Sequence, residues 1–234
     1  MAAPATQPGS SSLDQPDYWW FRARAELLHT VLGPYFGRPA TILDVGSADG
    51  PSVGWMKGGH RRITLDLFPR GLTPGEGVCG SAEALPFADH TFDVVEHCER
   101  ETLAMAELTR VLRPGGRMLL SVPAYQWAWS DHDVQAGHHR RYTRPRLIGL
   151  AERSGLVVER ATYAFGAVFP FFVAERLLRR IKGPAGDGDG RLTSVPDPVQ
   201  RLLLRLSAAE QRVLRRRDVP FGSSVFLAAT KPGA

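Results

Sequence analysis

The stretch ILDVGSADG, residues 42–50, ends an apolar run in an acid, Asp44, and then sets Gly46 and Gly50 on either side of Ala48. Glycine lets a backbone turn tightly and approach a ligand with no Cβ in the way. A second acid, Asp66 in ITLDL, follows 22 positions after Asp44 (66 − 44), near the roughly 20-residue interval at which an acid ending a second strand meets a ribose. One carboxylate can accept both vicinal hydroxyls of that sugar. The alternative is structural: the glycines shape a strand-to-helix turn and Asp66 caps a neighbouring helix.

A second concentration of reactive groups lies in SVPAYQWAWSDHDVQAGHHRRYT, which holds His132, Asp133, His138, His139, Arg140, Arg141 and Tyr142. Histidine titrates near neutrality and is a common proton acceptor; Asp133 can orient it, and Trp127 and Trp129 can wall a pocket. A solvated loop whose arginines pair with acids, with the tryptophans in the core, is the competing reading. No metal is expected, because the two cysteines, Cys79 and Cys98, lack ligand spacing.

These residues need a scaffold. From Asp17, YWWF leads into RARAELLHTVL, whose Leu27, Leu28, Val31 and Leu32 recur at helical spacing until Gly33-Pro34, which predicts an amphipathic helix ending there. Tyr18, Trp19 and Arg22 either cover a cofactor, with Arg22 near its carboxylate, or staple this helix to the sheet. ATILDVG, RRITLDL, TFDVV, GRMLLSVP and LVVERATY are short apolar runs that suit strands buried on both faces. Met105, Leu108, Val111 and Leu112 form a helical face closed by Pro-Gly-Gly, and Thr143 is an N-cap for a helix with Pro145 in its first turn and Gly155 as its stop. Strand and helix alternate, so the expected fold is α/β with a doubly wound sheet.

With 234 residues and 43% hydrophobic composition, one domain over 17–234 is expected, after a loose, polar N-terminus at 1–16 without signal-peptide character. The net charge of +5 is local to the later part of the chain, which argues against a nucleic-acid partner. Two thiols without a disulfide framework suit a reducing cytoplasm.

Asp44-x-Gly46-x-Ala48-x-Gly50 resembles the first motif of class I S-adenosylmethionine-dependent methyltransferases. GSAEALPFADHTFDVV resembles the segment that runs in that family from the adenine contact to the fourth strand, and LRPGGRMLLSVP its helix end and fifth strand. WWFRAR, HD…GHHRRYT and PFGSS are similar to a bacterial methyltransferase type 11-like subgroup. The resemblance implies a Rossmann-like seven-stranded sheet with an antiparallel last strand, SSVFLAAT, and S-adenosyl-L-methionine as cofactor. It implies Asp44, Val45, Gly46, Ser47 and Gly50 at the methionine end, Asp66 and Leu67 at the ribose, and Ser81, Ala82 and Glu83 at the adenine. Ala48 and Ser81 depart from the family pattern, and Glu96-His97 arrives about half a dozen positions early after TFDVV. That shortens the fourth strand or its exit loop. A binding protein that keeps the fold without catalysis therefore stays open; a nicotinamide-dependent reductase is disfavoured by the lack of G-x-G-x-x-G.

Residues 163–219 read as a helical insertion. AFGAVFPFFVA is too short to span a bilayer and is interrupted by Pro170; Arg176, Arg179, Arg180 and Lys182 follow. A second helix at 199–217 sets leucines against Arg201, Arg205, Arg212 and Arg216. An apolar face beside a basic one at 164–182 and 199–217 suits the surface of an inner membrane, a lipid-linked acceptor or a partner helix; a hairpin packed on the sheet is the alternative. The expected acceptor is a small or lipid-linked metabolite.

Overall fold

The computed structural model describes residues 17–46, 54–56, 58, 60–69, 72, 75, 77–97, 102–130, 133–134, 140–182 and 195–233, with backbone alone at 96, 97, 102 and 179–182. The order is α1 (Trp19–Phe36), β1 (Thr41–Val45), β2 (Arg61–Asp66), β3 (Gly77–Cys79), β4 (Phe92–His97), α2 (Thr102–Val111) and β5 (Leu112–Pro123). It continues with α3 (Arg144–Arg153), β6 (Val157–Ala164), α4 (Phe169–Lys182), α5 (Asp197–Leu214) and β7 (Ser224–Thr230). The strands form one sheet ordered β3-β2-β1-β4-β5-β7-β6, parallel except for β7, which is antiparallel to both neighbours.

Strand alternation sends successive side chains to opposite faces. Leu43, Val45, Val95 and Met118 pack with α2 and α3, whereas Ile42, Val94, Leu119 and Phe226 pack with α1 and α5. β3, a three-residue edge strand, is too short for a periodicity and escapes sequence reading.

Two boundaries and one cap bond differ from expectation. α1 does not stop at Gly33-Pro34: it carries Pro34 to Phe36 and ends at Gly37, whose φ of +67° suits glycine. Phe36 is buried edge-on against Trp55, so tertiary burial offsets the helix bond that proline forfeits. Pro170 does not interrupt the insertion, since it is the second residue of α4, where an amide proton would have no intrahelical acceptor. Thr143 sits at the N-cap position of α3 without a side-chain cap bond; the Arg144 amide donates instead to the Tyr163 hydroxyl at 3.2 Å.

Two polar clamps explain motifs that read as family signatures. Glu107 Oε2 accepts the Leu85 amide at 2.8 Å, while Arg110 bonds Glu107, Asp89 and the carbonyls of Leu85 and Phe87, so α2 grips the LPF turn. Asp93, of TFDVV, accepts the amides of Ala40 and Thr41 at 2.9 and 2.8 Å, and Arg113 at 2.8 Å. Burial alone would raise the Asp93 carboxyl, but these bonds from Thr41, Ala40 and Arg113 together hold it below the ordinary range. A depressed carboxylate stabilises the fold above its unfolded pKa of about 3.9 and loses that contribution as pH falls through the folded value. Asp93→Asn should therefore lower the urea midpoint at pH 7 and flatten its fall between pH 5 and pH 2, as followed by circular dichroism.

Candidate active site

The C-terminal ends of β1, β2 and β3 bring the sequence-predicted cofactor residues to one sheet edge. Asp44 is fully enclosed in β1 and lies opposite Glu96 in register, as Val45 lies opposite His97. At Gly46 the chain turns with φ +76°, a conformation that a side chain would strain, and its amide donates to the Leu65 carbonyl at 2.8 Å. Asp66 ends β2, and its Oδ1 accepts the Phe68 amide at 2.9 Å. Asp66 pairs in register with Cys79, and the Gly80 amide donates to the Asp66 carbonyl, which sets Ser81, Ala82 and Glu83 beside the end of β2. The Ser81 hydroxyl accepts the Glu83 amide at 3.1 Å, closing a turn. Leu67 and Phe68 are exposed next to Asp66, an apolar surface of the kind a purine face covers. Ser47, Ala48 and Gly50 lie outside the described residues.

β4 pairs with β1 and β5 through His97, so the strand keeps its pairing. The exit loop that follows, residues 98–101, lies outside the described residues.

The first helix supplies a residue that sequence reading missed. Arg22 is exposed and lines a groove of ≈ 510 Å³ between α1 and α5 with Glu26, Ser207 and Gln211. Arg24, two positions on, is only 6% exposed; its guanidinium stacks near the Trp20 ring and donates to Ser121 Oγ of β5 at 3.3 Å. It occupies the apolar stripe of α1, three and four residues before Leu27 and Leu28. A charge in a stripe reserved for the core was the available signal. Trp20 stacks on buried Phe165 at 5.6 Å and the Trp19 amide donates to Gln200, so YWWF packs as a staple.

Beyond β5 the chain runs into a polar lock and an aromatic cluster. Asp133 is 0% exposed, and both of its oxygens meet Arg141 at 2.9 Å. Asp133 Oδ2 also accepts the Ser130 amide, and Arg141 donates to the Ala124 carbonyl. Tyr142, buried in the core, bridges Ala124 in parallel register. These bonds fasten both ends of the 124–142 segment to the end of β5. His132, His138 and His139 lie outside the described residues. Asp133 and Tyr142 are thus placed as framework, each enclosed by the groups that hold the loop.

Tyr125 follows with φ +61°, a strained value for a non-glycine residue and a common mark of functional loops. Its ring stacks on Tyr163 at 5.3 Å and on Trp127 at 6.0 Å, and meets Phe169 at 5.4 Å. Phe172 and Phe221 extend the cluster, and Arg141, Arg144 and Arg176 stand over its rings. Burial, reinforced by the Tyr163 hydrogen bond, pushes the Tyr125 phenol up to about 12. It stays neutral near pH 7 and serves as a hydrogen-bonding group. Sequence reading named Trp127 here but not the tyrosines and phenylalanines, which come from four separate segments.

A family model for a methyltransferase domain matches residues 43–120. An uncharacterized methyltransferase of Mycobacterium tuberculosis is 31% identical over 177 residues, covering 61% of this chain and 69% of the relative. The chain belongs to the class I S-adenosylmethionine-dependent methyltransferases. A malonyl-(acyl-carrier protein) O-methyltransferase of Erwinia pyrifoliae is 31% identical over 167 residues, 63% of this chain and 62% of that one. The chain spans less than two thirds of the length of such relatives. Among solved structures, a Burkholderia thailandensis 1,6-didemethyltoxoflavin-N1-methyltransferase with bound S-adenosylhomocysteine shares the fold at TM-score 0.53 and 18% identity, over 99% of this chain and 93% of that one. In this methyltransferase the strand order and the antiparallel β7 are therefore those implied by Asp44-x-Gly46 and LRPGG.

The lock predicts a measurable cost. Removing one partner of a buried ion pair leaves the other charge uncompensated, about 3–5 kcal/mol. Asp133→Ala should lower unfolding stability by that order in urea denaturation, and Arg141→Met in the same background should restore part of it.

Proposed function

We propose that this methyltransferase binds S-adenosylmethionine along the ends of β1–β3 and transfers a methyl group to a small or lipid-linked acceptor held in the aromatic cluster beyond β5. The residues present fit the cofactor. The left-handed turn at Gly46 leaves no Cβ toward a ligand, Asp66 can accept ribose hydroxyls, and Leu67 and Phe68 offer apolar faces to a purine. Bound there, the cofactor supplies an electrophilic methyl carbon on a sulfonium.

The observation that carries this reading is the buried guanidinium of Arg24 on the sheet face that also carries Asp44, at the C-terminal ends of the strands. A buried cation and a buried acid on one face match the carboxylate and ammonium of an amino-acid ligand. Arg24 thus takes the role expected of Arg22, and Asp44 the ammonium side.

On the acceptor side this chain's residues bind, orient and exclude water. Tyr125 and Tyr163 present paired hydroxyls, the rings of Trp127, Phe169 and Phe172 supply an apolar surface, and Arg144 stands over the Tyr163 ring, placed to meet an anionic group. An acceptor that joins an apolar body to an anion fits that set. The Erwinia pyrifoliae relative is named for a malonyl-(acyl-carrier protein) substrate, whose malonyl group carries an anion. Asp133 and Arg141 position the loop, leaving proton removal to His132, His138 or His139.

Calorimetry tests the cofactor half. The chain should bind S-adenosylmethionine and not NADH. Charge-assisted bonds are worth about 1.5–3 kcal/mol, so Arg24→Met and Asp66→Ala should each raise Kd by about 10-fold or more. Absence of S-adenosylmethionine binding by the parent chain would overturn the reading, and unchanged affinity would remove the altered residue from the site. Binding without methyl transfer to any acceptor of the stated kind would point to the non-catalytic alternative.

A further inference from the structure

α4 is mounted the wrong way round for a helix of a water-soluble body. At about 100° per residue, Phe171, Val173, Ala174, Leu177, Leu178 and Ile181 share one arc of the helix. Phe172 lies on the opposite side, and the helix is fastened to the body from that side: Phe169 meets Tyr125, Trp127 and Phe221, and Phe172 lies under Arg141 and Arg176. The consequence shows in exposure. The Arg176 side chain is only 13% exposed, whereas Phe171, Leu177 and Leu178 are 57%, 50% and 54% exposed.

Fourteen residues make a helix that is marginal in water by itself, and one whose apolar arc faces outward gains little from its own burial. Helical spacing sets Arg180 at one border of the arc and Lys182 at the other, and the helix carries four bases against one acid, Glu175. Bases flanking an apolar arc are the arrangement of a helix that lies in a membrane interface. The apolar surface does not end with the helix: Trp127 and Phe221, both exposed, touch the Phe169 ring at its start, at 6.4 and 5.8 Å. α5 does not share this orientation; it buries Leu203, Ser207, Glu210 and Leu214 and turns Arg201, Arg205 and Arg212 to solvent, as a packed helix does.

We propose that the outer arc of α4 docks in the headgroup region of an anionic phospholipid bilayer, holding the aromatic cluster of the acceptor side against the membrane surface. The docking goes beyond the methyl-transfer reading and is measured without cofactor or acceptor. The probe is flotation of the full chain with vesicles of phosphatidylcholine mixed with phosphatidylglycerol. The chain should co-float at low salt, and several-fold less both with pure phosphatidylcholine and at about 0.5 M salt, where charges are screened. Leu177→Glu/Leu178→Glu should reduce the bound fraction by about fivefold or more, with the melting curve and S-adenosylmethionine binding unchanged. Phe171→Glu, on the same exposed arc, should do likewise and serves if the double variant is unstable. Failure to bind anionic vesicles, equal binding to neutral ones, or full binding by folded variants would overturn the proposal. So would a concentration-dependent dimer, abolished by the same variants, in a chain that does not float; the arc would then face a second copy.

Discussion

The position of β7 is the constraint on which the rest depends. The strand enters the sheet between β5 and β6, antiparallel to both, with Val225 through Ala229 buried. Entry is tight: a Cβ on Gly222 would come within 2.2 Å of the Ala164 carbonyl oxygen, and the Ala124 amide donates to the Ser223 carbonyl. The segment before β7 is therefore pressed against the ends of both neighbours. That pressure gathers Tyr125 from β5, Tyr163 from β6 and Phe221 from the approach to β7 into one cluster, to which α4 adds Phe169.

Charge inside this fold is used mainly to hold backbone. Asp93 ties the start of β1 to β4, Glu107 and Arg110 grip the turn before β4, and Asp133 with Arg141 fastens the loop after β5. Glu210 on α5 belongs to the same set. Its oxygens accept the amides of Gly166 and Ala167 at 2.8 and 3.1 Å, beneath the start of α4, and burial raises its carboxyl despite those bonds. Because backbone amides and carbonyls move with their strands, each pair ties a loop or turn to the rigidity of the sheet. Arg24 differs in place: it is buried on α1, beside the Trp20 ring and the Ser121 hydroxyl.

Much of the scaffold was legible because it follows local rules. Apolar runs ending in Asp44 and Asp66 announced buried strands, and the spacing of those acids announced that they fall near the ends of neighbouring strands. The errors have physical causes too. Pro34 and Pro170 looked like breaks, yet Pro170 lies in the first turn of α4, where a missing amide has no partner to lose, and the bond that Pro34 forfeits near the end of α1 is offset by the burial of Phe36. Arg22 and Arg24 both sit in WWFRAR; only the phase of α1 against the sheet separates the exposed residue from the buried one.

The amino-acid sequence by itself determined the α/β class, the turn at Gly46, the acid at Asp66 and the family to which they belong, because each depends on residues close together in the chain. Tertiary structure alone decided three other matters: that Arg24 faces the strand ends, that four segments close one aromatic cluster, and that α4 shows its apolar arc to the outside. A helix's amphipathicity is written in its own residues, but the direction in which it faces is set by what grips it. Here the grip comes from Phe169 and Phe172, which Tyr125, Phe221 and Arg141 hold from the opposite side.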